Sequence, residues 1–431
     1  MRMRTIAILF GFLMVFIGYM DRINIGVAAI QITKDYTISV AEIGAISSSF
    51  FFGYALLQIP GGIWSERLGP RRVLTAAFSW WSLFTILTAA GASYLSFLLI
   101  RFAFGWGEGP LFPGVSNLYG RWLRKDELTS GWGLSIIGIP LGGLVGTSVA
   151  LGIMNALGWQ WIFIIYGIIG FLIVIGFFVL MRDMPESVSW IKKDEIEDIN
   201  SSYKKPEERG KTIKVYAPWR TLLKSGRFWA WGFSHAMLNF PLYSFLTFLP
   251  LYLEDYRHFA KSSLTLAASL PWALLLISCI LSGYFMDRAI KHGATLFKAH
   301  ALPDSISFFL SGIFILVGAF VSSPVLAIIL LSIGLAFMGP ELTLSFAITP
   351  RMGGEYSGSY SGWLNFIANS IGAIVPIVTG LIVAAYNWPA ALTFVALGAF
   401  IGGVLWLIIK PDKSFAPNLI PNYTPTVTVQ R

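Results

Sequence analysis

The feature that most limits the fold of this chain is a series of long apolar segments. A helix needs about 20 mostly apolar residues to cross a bilayer, and twelve segments approach that length. Only 12% of the 431 residues are charged, against roughly 25% in soluble domains. We therefore predict an all-α membrane protein with 12 transmembrane helices. The segments are 5–30, 41–63, 73–93, 94–117, 131–153, 160–181, 228–253, 264–286, 305–321, 324–348, 358–384 and 388–409.

The connections between these segments are short, with one exception in the middle of the chain. Residues 182–227 are polar and rich in lysine, and they separate six segments from six. Within them, 186–200 has apolar residues spaced among charges, which predicts an amphipathic helix on the membrane surface. The tail after Lys410 contains four prolines and is predicted to be disordered. The predicted parts are an N-terminal half, 1–181; a cytoplasmic central loop, 182–227; a C-terminal half, 228–410; and the tail, 411–431.

The basic residues indicate how the chain is oriented. Lysine and arginine collect on the cytoplasmic side of membrane proteins. With the N-terminus placed in the cytoplasm, only Lys34, Arg257 and Lys261 of the 31 basic residues fall in outer loops. Only Arg22 and Arg101 fall within the membrane. The net charge of +9 is therefore a topology signal and does not predict a nucleic-acid partner. We expect a multi-pass protein of the cell membrane with both termini in the cytoplasm.

The two halves of the sequence repeat each other at three places. The matches occur in the same order and at nearly constant offsets of 221, 230 and 231 residues. They predict two pseudo-symmetric six-helix halves, an arrangement that places the substrate site of a transporter near the membrane midplane. The matched stretches are Gly62-x-x-x-Glu66-Arg67 with Gly283-x-x-x-Asp287-Arg288, Gly109-Pro110 with Gly339-Pro340, and Ser130-Gly131-Trp132 with Ser361-Gly362-Trp363.

Four charged residues lie within predicted helices 1 and 4: Asp21, Arg22, Arg101 and Glu108. A charge at the bilayer centre costs about 2.5–3.5 kcal/mol even on the lenient insertion scale, and such residues are usually functional. At 1.5 Å per helical residue, Arg22 lies about 24 Å from the inner edge and Arg101 about 10 Å from the outer edge. In a hydrocarbon core of about 30 Å, the two arginines are predicted to lie at similar depths.

This arrangement suggests a role for each charged side chain. We expect Asp21 to pair with Arg101 across helices 1 and 4, which leaves Arg22 to bind a substrate carboxylate through its guanidinium. Glu108 has no evident basic partner, and burial favours the neutral form of a carboxyl group, so Glu108 and Asp21 are the predicted proton-coupling residues. The alternative is a buried salt-bridge cluster that only fixes helix packing. Tyr19 is one turn before Arg22 and is a predicted substrate contact.

Several other polar residues on predicted helices are candidate substrate contacts. Tyr54 and Gln58 lie on one face of helix 2, and Asn365 and Asn369 lie on one face of helix 11. Tyr243 on helix 7 matches Arg22 under the 221-residue offset. Hydrogen bonding to a neighbouring helix would also explain each of these positions.

Two buried ionisable residues have no assigned role at this stage. His235 is expected either to pack through a hydrogen bond or to carry a proton, because imidazole titrates near neutral pH. Glu341 is expected either in the transport cavity or near its cytoplasmic mouth. Asn24, two residues beyond Arg22, is expected to be a packing or hydrogen-bonding residue.

Charged residues at the inner ends of helices 2 and 8 are predicted to act in gating. Salt bridges and helix-end contacts there would form in one transport state and break when the halves rock. Simple anchoring by positive charge would explain the arginines but not the acid that precedes each of them. The predicted gating residues are Glu66, Arg67, Asp287 and Arg288.

The stretch Gly62-Ile63-Trp64-Ser65-Glu66-Arg67-Leu68-Gly69-Pro70-Arg71-Arg72 resembles the loop between helices 2 and 3 of the major facilitator superfamily, with Glu66 where aspartate is usual. A narrower resemblance, to its anion:cation symporter branch, is carried by the YMDRIN stretch at residues 19–24, by Arg101-x6-Glu108-Gly109-Pro110 and by Leu249-Pro250-x-Tyr252-Leu253. The resemblance implies the major facilitator fold. It also implies that the acids on helices 1 and 4 carry protons, that the helix-1 arginine contacts substrate, and that the helix-11 asparagines do so too.

Together these features predict a secondary transporter that moves a small organic anion, such as a sugar acid, by alternating access. The predicted coupling ion is a proton, with sodium as the alternative, and the protein is expected to work as a monomer in the lipid bilayer. Four scattered histidines and one cysteine argue against an enzyme, and no metal or cofactor is expected. The sequence has no GxxxxGK[ST] motif, which argues against transport driven by nucleotide hydrolysis. The rival functions are a proton-coupled exporter of neutral or cationic compounds and a non-transporting membrane sensor.

Overall fold

A computed structural model describes residues 2–203, 218–345 and 357–412, and every regular element in those ranges is helical. The predicted all-α membrane fold is confirmed. Ten stretches of the described chain are long and apolar enough to cross a bilayer. The third predicted segment corresponds to a helix of only 19 residues, and the fourth is divided between two helices. The chain forms two compact units, Met1–Ile213 and Lys214–Arg431. The tail was predicted to be disordered. Its residues from 413 onward lie outside the described ranges.

The first unit is a bundle in which α1 packs on α6, α2 on α4, and α3 on α7. Close backbone approach between α2 and α4 depends on glycine: a Cβ on Gly105 would lie 2.0 Å from the main-chain oxygen of Phe50. The helices are α1 Met3–Asp35, α2 Val40–Leu68, α3 Pro70–Thr88, α4 Tyr94–Glu108, α5 Leu111–Trp122, α6 Leu128–Leu157, α7 Trp159–Leu180 and α8 Lys193–Ser201.

In the second unit α13 packs on α14 and α18, and α10 packs on α18. Its helices are α9 Trp219–Leu222, α10 Gly226–Met237, α11 Asn239–Leu251, α12 Lys261–Lys291, α13 Leu302–Phe320, α14 Pro324–Ala336, α15 at 339–345, α16 Ser357–Gly372, α17 Val375–Ala385 and α18 Trp388–Ile409. Single π-helical turns, Tyr252–Tyr256 and Phe297–Ala301, follow α11 and precede α13.

The internal repeat is visible as the same interruption in both units. Helix α4 ends at Glu108 and α5 begins at Leu111, so Gly109-Pro110 separates them. In the second unit α14 ends at Ala336, and the helix resumes at the matching Gly339-Pro340. Proline lacks the N–H that would continue the hydrogen-bond ladder, which accounts for a break at this position.

Helix α8 joins the central loop to the first unit. Glu195 accepts hydrogen bonds from the main-chain N–H groups of Met3 and Arg4, at 3.2 and 2.9 Å, and so caps the start of α1. Asp198 binds Arg4 at 2.7 Å and also contacts Arg124. Instead of facing the membrane, the apolar Ile199 is fully buried in the protein. Partial desolvation opposes ionisation of Asp198, but hydrogen bonds from the two arginines hold its pKa below the usual value.

Candidate functional site

Arg22 and Glu108 form a buried ion pair inside the first unit. The Arg22 Nε and Nη2 atoms lie 2.8 and 2.6 Å from the same oxygen, Oε1 of Glu108. Side-chain exposure is 2% for Arg22 and 0% for Glu108. The prediction that Glu108 lacks a basic partner was therefore wrong for this conformation. The other oxygen, Oε2, has no hydrogen-bond partner among the described residues, so it is the open position of this carboxyl group.

The predicted pair between the Asp21 carboxylate and Arg101 was also wrong. Arg101 Nη1 donates weakly to the main-chain oxygen of Asp21, at 3.4 Å, and to Oδ1 of Asn24, at 3.3 Å. The Asp21 carboxylate makes no hydrogen bond to Arg101, and the side chain that interacts with it as a donor is that of Trp81. Arg101 and Asp21 nevertheless interact electrostatically. The depth of a residue along a helix can be calculated from its number, but the direction in which its side chain points depends on how the helix is rotated by packing. On α1, it is the side chain of Asn24 that hydrogen-bonds Arg101.

Three aromatic rings surround the Arg22 guanidinium. Its Cζ atom lies 4.6 Å from the ring centroid of Tyr19, 5.1 Å from that of Phe50 and 4.7 Å from that of Tyr54. Cation–π contacts of this kind hold a guanidinium in place, and they are stronger when the cation is desolvated. Tyr19 thus lies next to Arg22, as the sequence predicted, and Tyr54, a candidate contact on helix 2, lies there too. Phe50 was missed, although it lies one turn before Tyr54 on α2.

Gln58 lies one turn beyond Tyr54 on α2 and is also buried, with 7% exposure. Its side-chain Nε2 has no hydrogen-bond partner in the described part of the protein. A buried amide without a partner costs free energy. Gln58 therefore carries a donor that a bound solute could satisfy, and its role as a substrate contact stays a prediction.

The second unit brings together three of the residues predicted to contact substrate. The Tyr243 hydroxyl donates to Oδ1 of Asn369 at 2.8 Å. Asn369 Nδ2 in turn lies 2.8 Å from both the main-chain and side-chain oxygens of Asn365. A fourth amide, Asn239, donates to the main-chain oxygen of Ala368 at 2.7 Å and was missed by the sequence analysis. This chain of hydrogen bonds joins α11 to α16.

Glu341, whose place the sequence left open, lies in the core of the second unit. Its Oε1 atom is 2.8 Å from Nδ1 of His235 and also accepts a hydrogen bond from Ser345. Its Oε2 atom accepts from the indole N–H of Trp406 at 2.6 Å. His235 thus makes the hydrogen bond that either of its predicted roles would require.

The predicted gating residues are exposed at helix ends. Glu66 and Arg67 close α2, and the main-chain oxygen of Glu66 accepts a hydrogen bond from Arg121 at 3.0 Å. Asp287 and Arg288 lie in the last turn and a half of α12. Their role in gating stays a prediction. In the described ranges no group of three or more His, Cys, Asp or Glu residues could hold a metal ion.

Comparisons with known proteins agree with this architecture. Residues 11–375 match the model of the family described as Major Facilitator Superfamily. The chain is 30% identical to a probable sulfoacetate transporter of Cupriavidus necator, over 93% of this chain and 92% of that protein. It is also 30% identical to a hexuronate transporter of Bacillus subtilis, over 87% of each.

The fold also matches solved structures. A bacterial homologue of the human lysosomal transporter Spinster superposes with a TM-score of 0.71, covering 94% of this chain and 95% of that one at 17% identity. At that identity the likeness concerns the fold alone. The family match, the relatives and the helical architecture all point the same way. The chain belongs to the major facilitator superfamily, and it is a multi-pass membrane transporter and not an enzyme.

Proposed function

We propose that this protein moves a small organic anion across the cell membrane by alternating access, in symport with a proton. The observation that carries the proposal is the buried pair of Arg22 with a single oxygen of Glu108. A guanidinium suited to bind a carboxylate is occupied by a carboxylate of the protein itself. A substrate anion and Glu108 would compete for the same donor.

Charge balance explains why a proton would accompany the anion. The buried cluster on α1 and α4 holds Arg22 and Arg101 together with Asp21 and Glu108, so it is neutral when all four are ionised. An anion that entered alone would leave one uncompensated charge in a medium of low dielectric constant, which is strongly unfavourable. A proton on Glu108 or Asp21 restores neutrality.

The proposed loading step follows from the hydrogen bonds. A proton reaches Oε2 of Glu108, the oxygen that Arg22 does not contact. The neutral acid holds Arg22 less strongly, and the guanidinium turns to the substrate carboxylate within its enclosure of Tyr19 and Tyr54. Asp21 is the second acidic group that can take up the proton, because it is fully buried and interacts electrostatically with both Glu108 and Arg101.

The substrate class is inferred from the relatives and from the polar side chains. Relatives named for sulfoacetate, hexuronate and L-galactonate are all named for carboxylates of low molecular weight. We assign Gln58 of the first unit and the Tyr243, Asn365 and Asn369 network of the second to the hydroxyl and carboxyl groups of such a solute. Arg22 in its aromatic enclosure disfavours a cationic substrate.

The remaining assignments belong to the same proposal. We assign both termini to the cytoplasm, which the bias of basic residues supports, and we propose that the protein works as a monomer. Glu66, Arg67, Asp287 and Arg288 form and release contacts between transport states. A relative from Arabidopsis thaliana is named a sodium-dependent phosphate transport protein, so sodium is the coupling ion to be tested against the proton.

The decisive experiment compares two modes of transport in vesicles that contain purified protein. Glu108→Gln keeps a side chain of the same size but cannot release a proton. We expect it to lose uptake driven by a pH gradient and to retain exchange of labelled for unlabelled anion. Glu42→Gln, a matched change at the exposed start of α2, should keep both modes.

The result that would overturn proton coupling is undiminished pH-driven uptake by Glu108→Gln. The anion assignment is tested by thermal shift with sulfoacetate, hexuronates, aldonates, phosphate and organic amines, because a bound ligand raises the melting temperature. It would be overturned if amines stabilised the protein and none of the anions did. Uptake that follows a sodium gradient at constant pH would replace the proton by sodium.

A further inference from the structure

A second group of buried ionisable side chains lies in the second unit, and the proposed transport cycle makes no use of it. Asp304 on α13 is 0% exposed, Glu341 on α15 is 1% exposed and His235 on α10 is 4% exposed. The side chains come from three helices, and α18 supplies Trp406 as a fourth contact. Ionisable groups within membrane helices are costly and usually functional.

Glu341 has the hydrogen bonds of a carboxylate that can be ionised. It accepts hydrogen bonds from Ser345 and Trp406, and its Oε1 is hydrogen-bonded to Nδ1 of His235, so both of its oxygens have partners. Hydrogen bonds donated to a carboxylate favour its charged form. The 2.8 Å separation between Nδ1 of His235 and Oε1 of Glu341 is short enough for a proton to pass from one atom to the other.

Asp304 is in the opposite situation. It is close enough to Glu341 for the two carboxyl groups to interact electrostatically. Neither of its oxygens has a hydrogen-bond partner within residues 2–203, 218–345 and 357–412. A buried carboxylate without a partner, next to another acid, takes up a proton instead of remaining charged. Asp304 and Glu341 therefore differ in the number of hydrogen-bond donors around them. Because the two carboxyl groups interact, a proton on one changes how readily the other binds a proton.

The elements around the two acids supply few other charges. On the α13 side, His300 lies one turn before Asp304 in the π-helical turn, and Lys298 in the same turn is exposed. On α10, Arg227 lies eight residues before His235, at the beginning of the helix. The helical stretches α14 and α18 contain no ionisable residue, and α16 contributes Tyr360. In the described chain, the ion pair of Glu341 is with His235.

We propose that Asp304, Glu341 and His235 form a proton-binding site of the second unit, in which an exchangeable proton is held between the two carboxyl groups and the imidazole. The site is separate from Asp21 and Glu108 and does not depend on which solute is transported. The basic groups beside the two acids are His235, which is paired with Glu341, and His300, one turn before Asp304.

The position of the site favours exchange with water. Asp304 is the third residue of α13, and Trp406 lies three residues before the end of α18. Both are therefore close to one end of the unit, which shortens the path that a proton must take. The π-helical turn Phe297–Ala301 lies directly before α13, and such turns occur frequently at functional sites.

The test is infrared difference spectroscopy of the full-length protein in lipid vesicles, between about pH 5 and about pH 8, the range in which imidazole changes charge. The protein carries Asp21→Asn and Glu108→Gln, so that these two carboxyl groups of the first unit cannot contribute to the spectrum. No transported solute is added. We expect a protonated-carboxyl band that changes with pH and that is lost when Asp304→Asn is added. Ser305→Ala, a change at the next residue of α13, removes a hydrogen bond to the main-chain oxygen of Gly403 on α18 and should leave the band unchanged.

A milder variant protects the test against misfolding. His235→Gln keeps both acids but removes the imidazole, so the titration midpoint of the band should move to higher pH. The proposal is overturned if the band does not change with pH, or if it survives both Asp304→Asn and Glu341→Gln. Because no transport is measured and the first-unit acids are absent, such a failure would leave the proposed symport mechanism standing, and a failure of symport would leave this site standing.

Discussion

Each unit of the protein buries a cluster of acids in its helical core, but the two clusters neutralise their charges in different ways. In the first unit Asp21 and Glu108 share the core with Arg22 and Arg101, two permanent cations. In the second, Glu341 is paired with His235 and the buried His300 lies one turn before Asp304. Histidine is a cation only when protonated.

The difference indicates that a bound proton can have two different consequences in the same fold. Where arginine is the counter-charge, a proton that binds an acid releases a cation, and that cation is available to an anion. Where histidine is the counter-charge, a proton only moves within the group or leaves it. The first cluster is therefore suited to exchanging a proton against a substrate, and the second to storing one. The predictions below test this distinction, from the largest expected effect to the smallest.

Removal of Arg22 should have the largest effect. Arg22→Ala leaves the carboxylate of Glu108 buried without its partner, and breaking a buried pair from one side costs about 3–5 kcal/mol of unfolding free energy. Anion binding should be lost as well. Adding Glu108→Gln should restore most of the stability without restoring binding. Denaturation and ligand-induced thermal shift measure the two effects separately, and recovery of binding in the double variant would contradict the assignment of Arg22.

Trp406→Phe should have an intermediate effect on stability. The variant keeps an aromatic ring but loses the indole donor, 2.6 Å from Glu341. A hydrogen bond to a charged group contributes about 1.5–3 kcal/mol, against about 1 kcal/mol for a neutral pair. Denaturation should therefore show a loss of about 1–3 kcal/mol of unfolding free energy. No measurable loss would contradict a hydrogen bond between this indole and Glu341.

Asn24→Ala should have a smaller effect. Asn24 accepts one hydrogen bond from Arg101, at a rather long 3.3 Å, so about 1 kcal/mol of stability should be lost. In contrast to Arg22→Ala, this variant should keep anion-dependent thermal shift, because Arg101 remains charged and next to Asp21. If Asn24→Ala abolished binding as completely as Arg22→Ala does, Arg101 would have to be assigned to the substrate as well.

Asp198→Asn should have the smallest effect, confined to the attachment of α8. Hydrogen bonds from Arg4 and Arg124 lower the pKa of Asp198, so this contact stabilises the fold above the carboxyl group's ordinary pKa of about 3.9. It is lost as the pH falls through the lowered value. Hydrogen exchange should thus show α8 equally protected from about pH 5 to about pH 8, and less protected in the variant. Any change of transport rate in that range should have another source.

The sequence alone was sufficient for the large-scale organisation of this protein. Apolar length, the distribution of lysine and arginine, and repeats such as Gly109-Pro110 with Gly339-Pro340 predict a transporter of two related halves. These properties depend on composition and on residue spacing, which can be measured on a linear chain. The prediction that Arg22 and Arg101 lie at similar depths also followed from the rise per residue of a helix.

Only the tertiary structure decided which charge meets which. Adjacent residues on a helix point about 100° apart, because there are 3.6 residues per turn, so Asp21 and Arg22 cannot face the same neighbour. Which of them faces Glu108 depends on how α1, α2 and α4 are rotated, and the close approach at Gly105 contributes to that packing. For the same reason the sequence could not join His235 to Glu341, which are 106 positions apart. Depth is a property of one helix, whereas a hydrogen bond is a property of two.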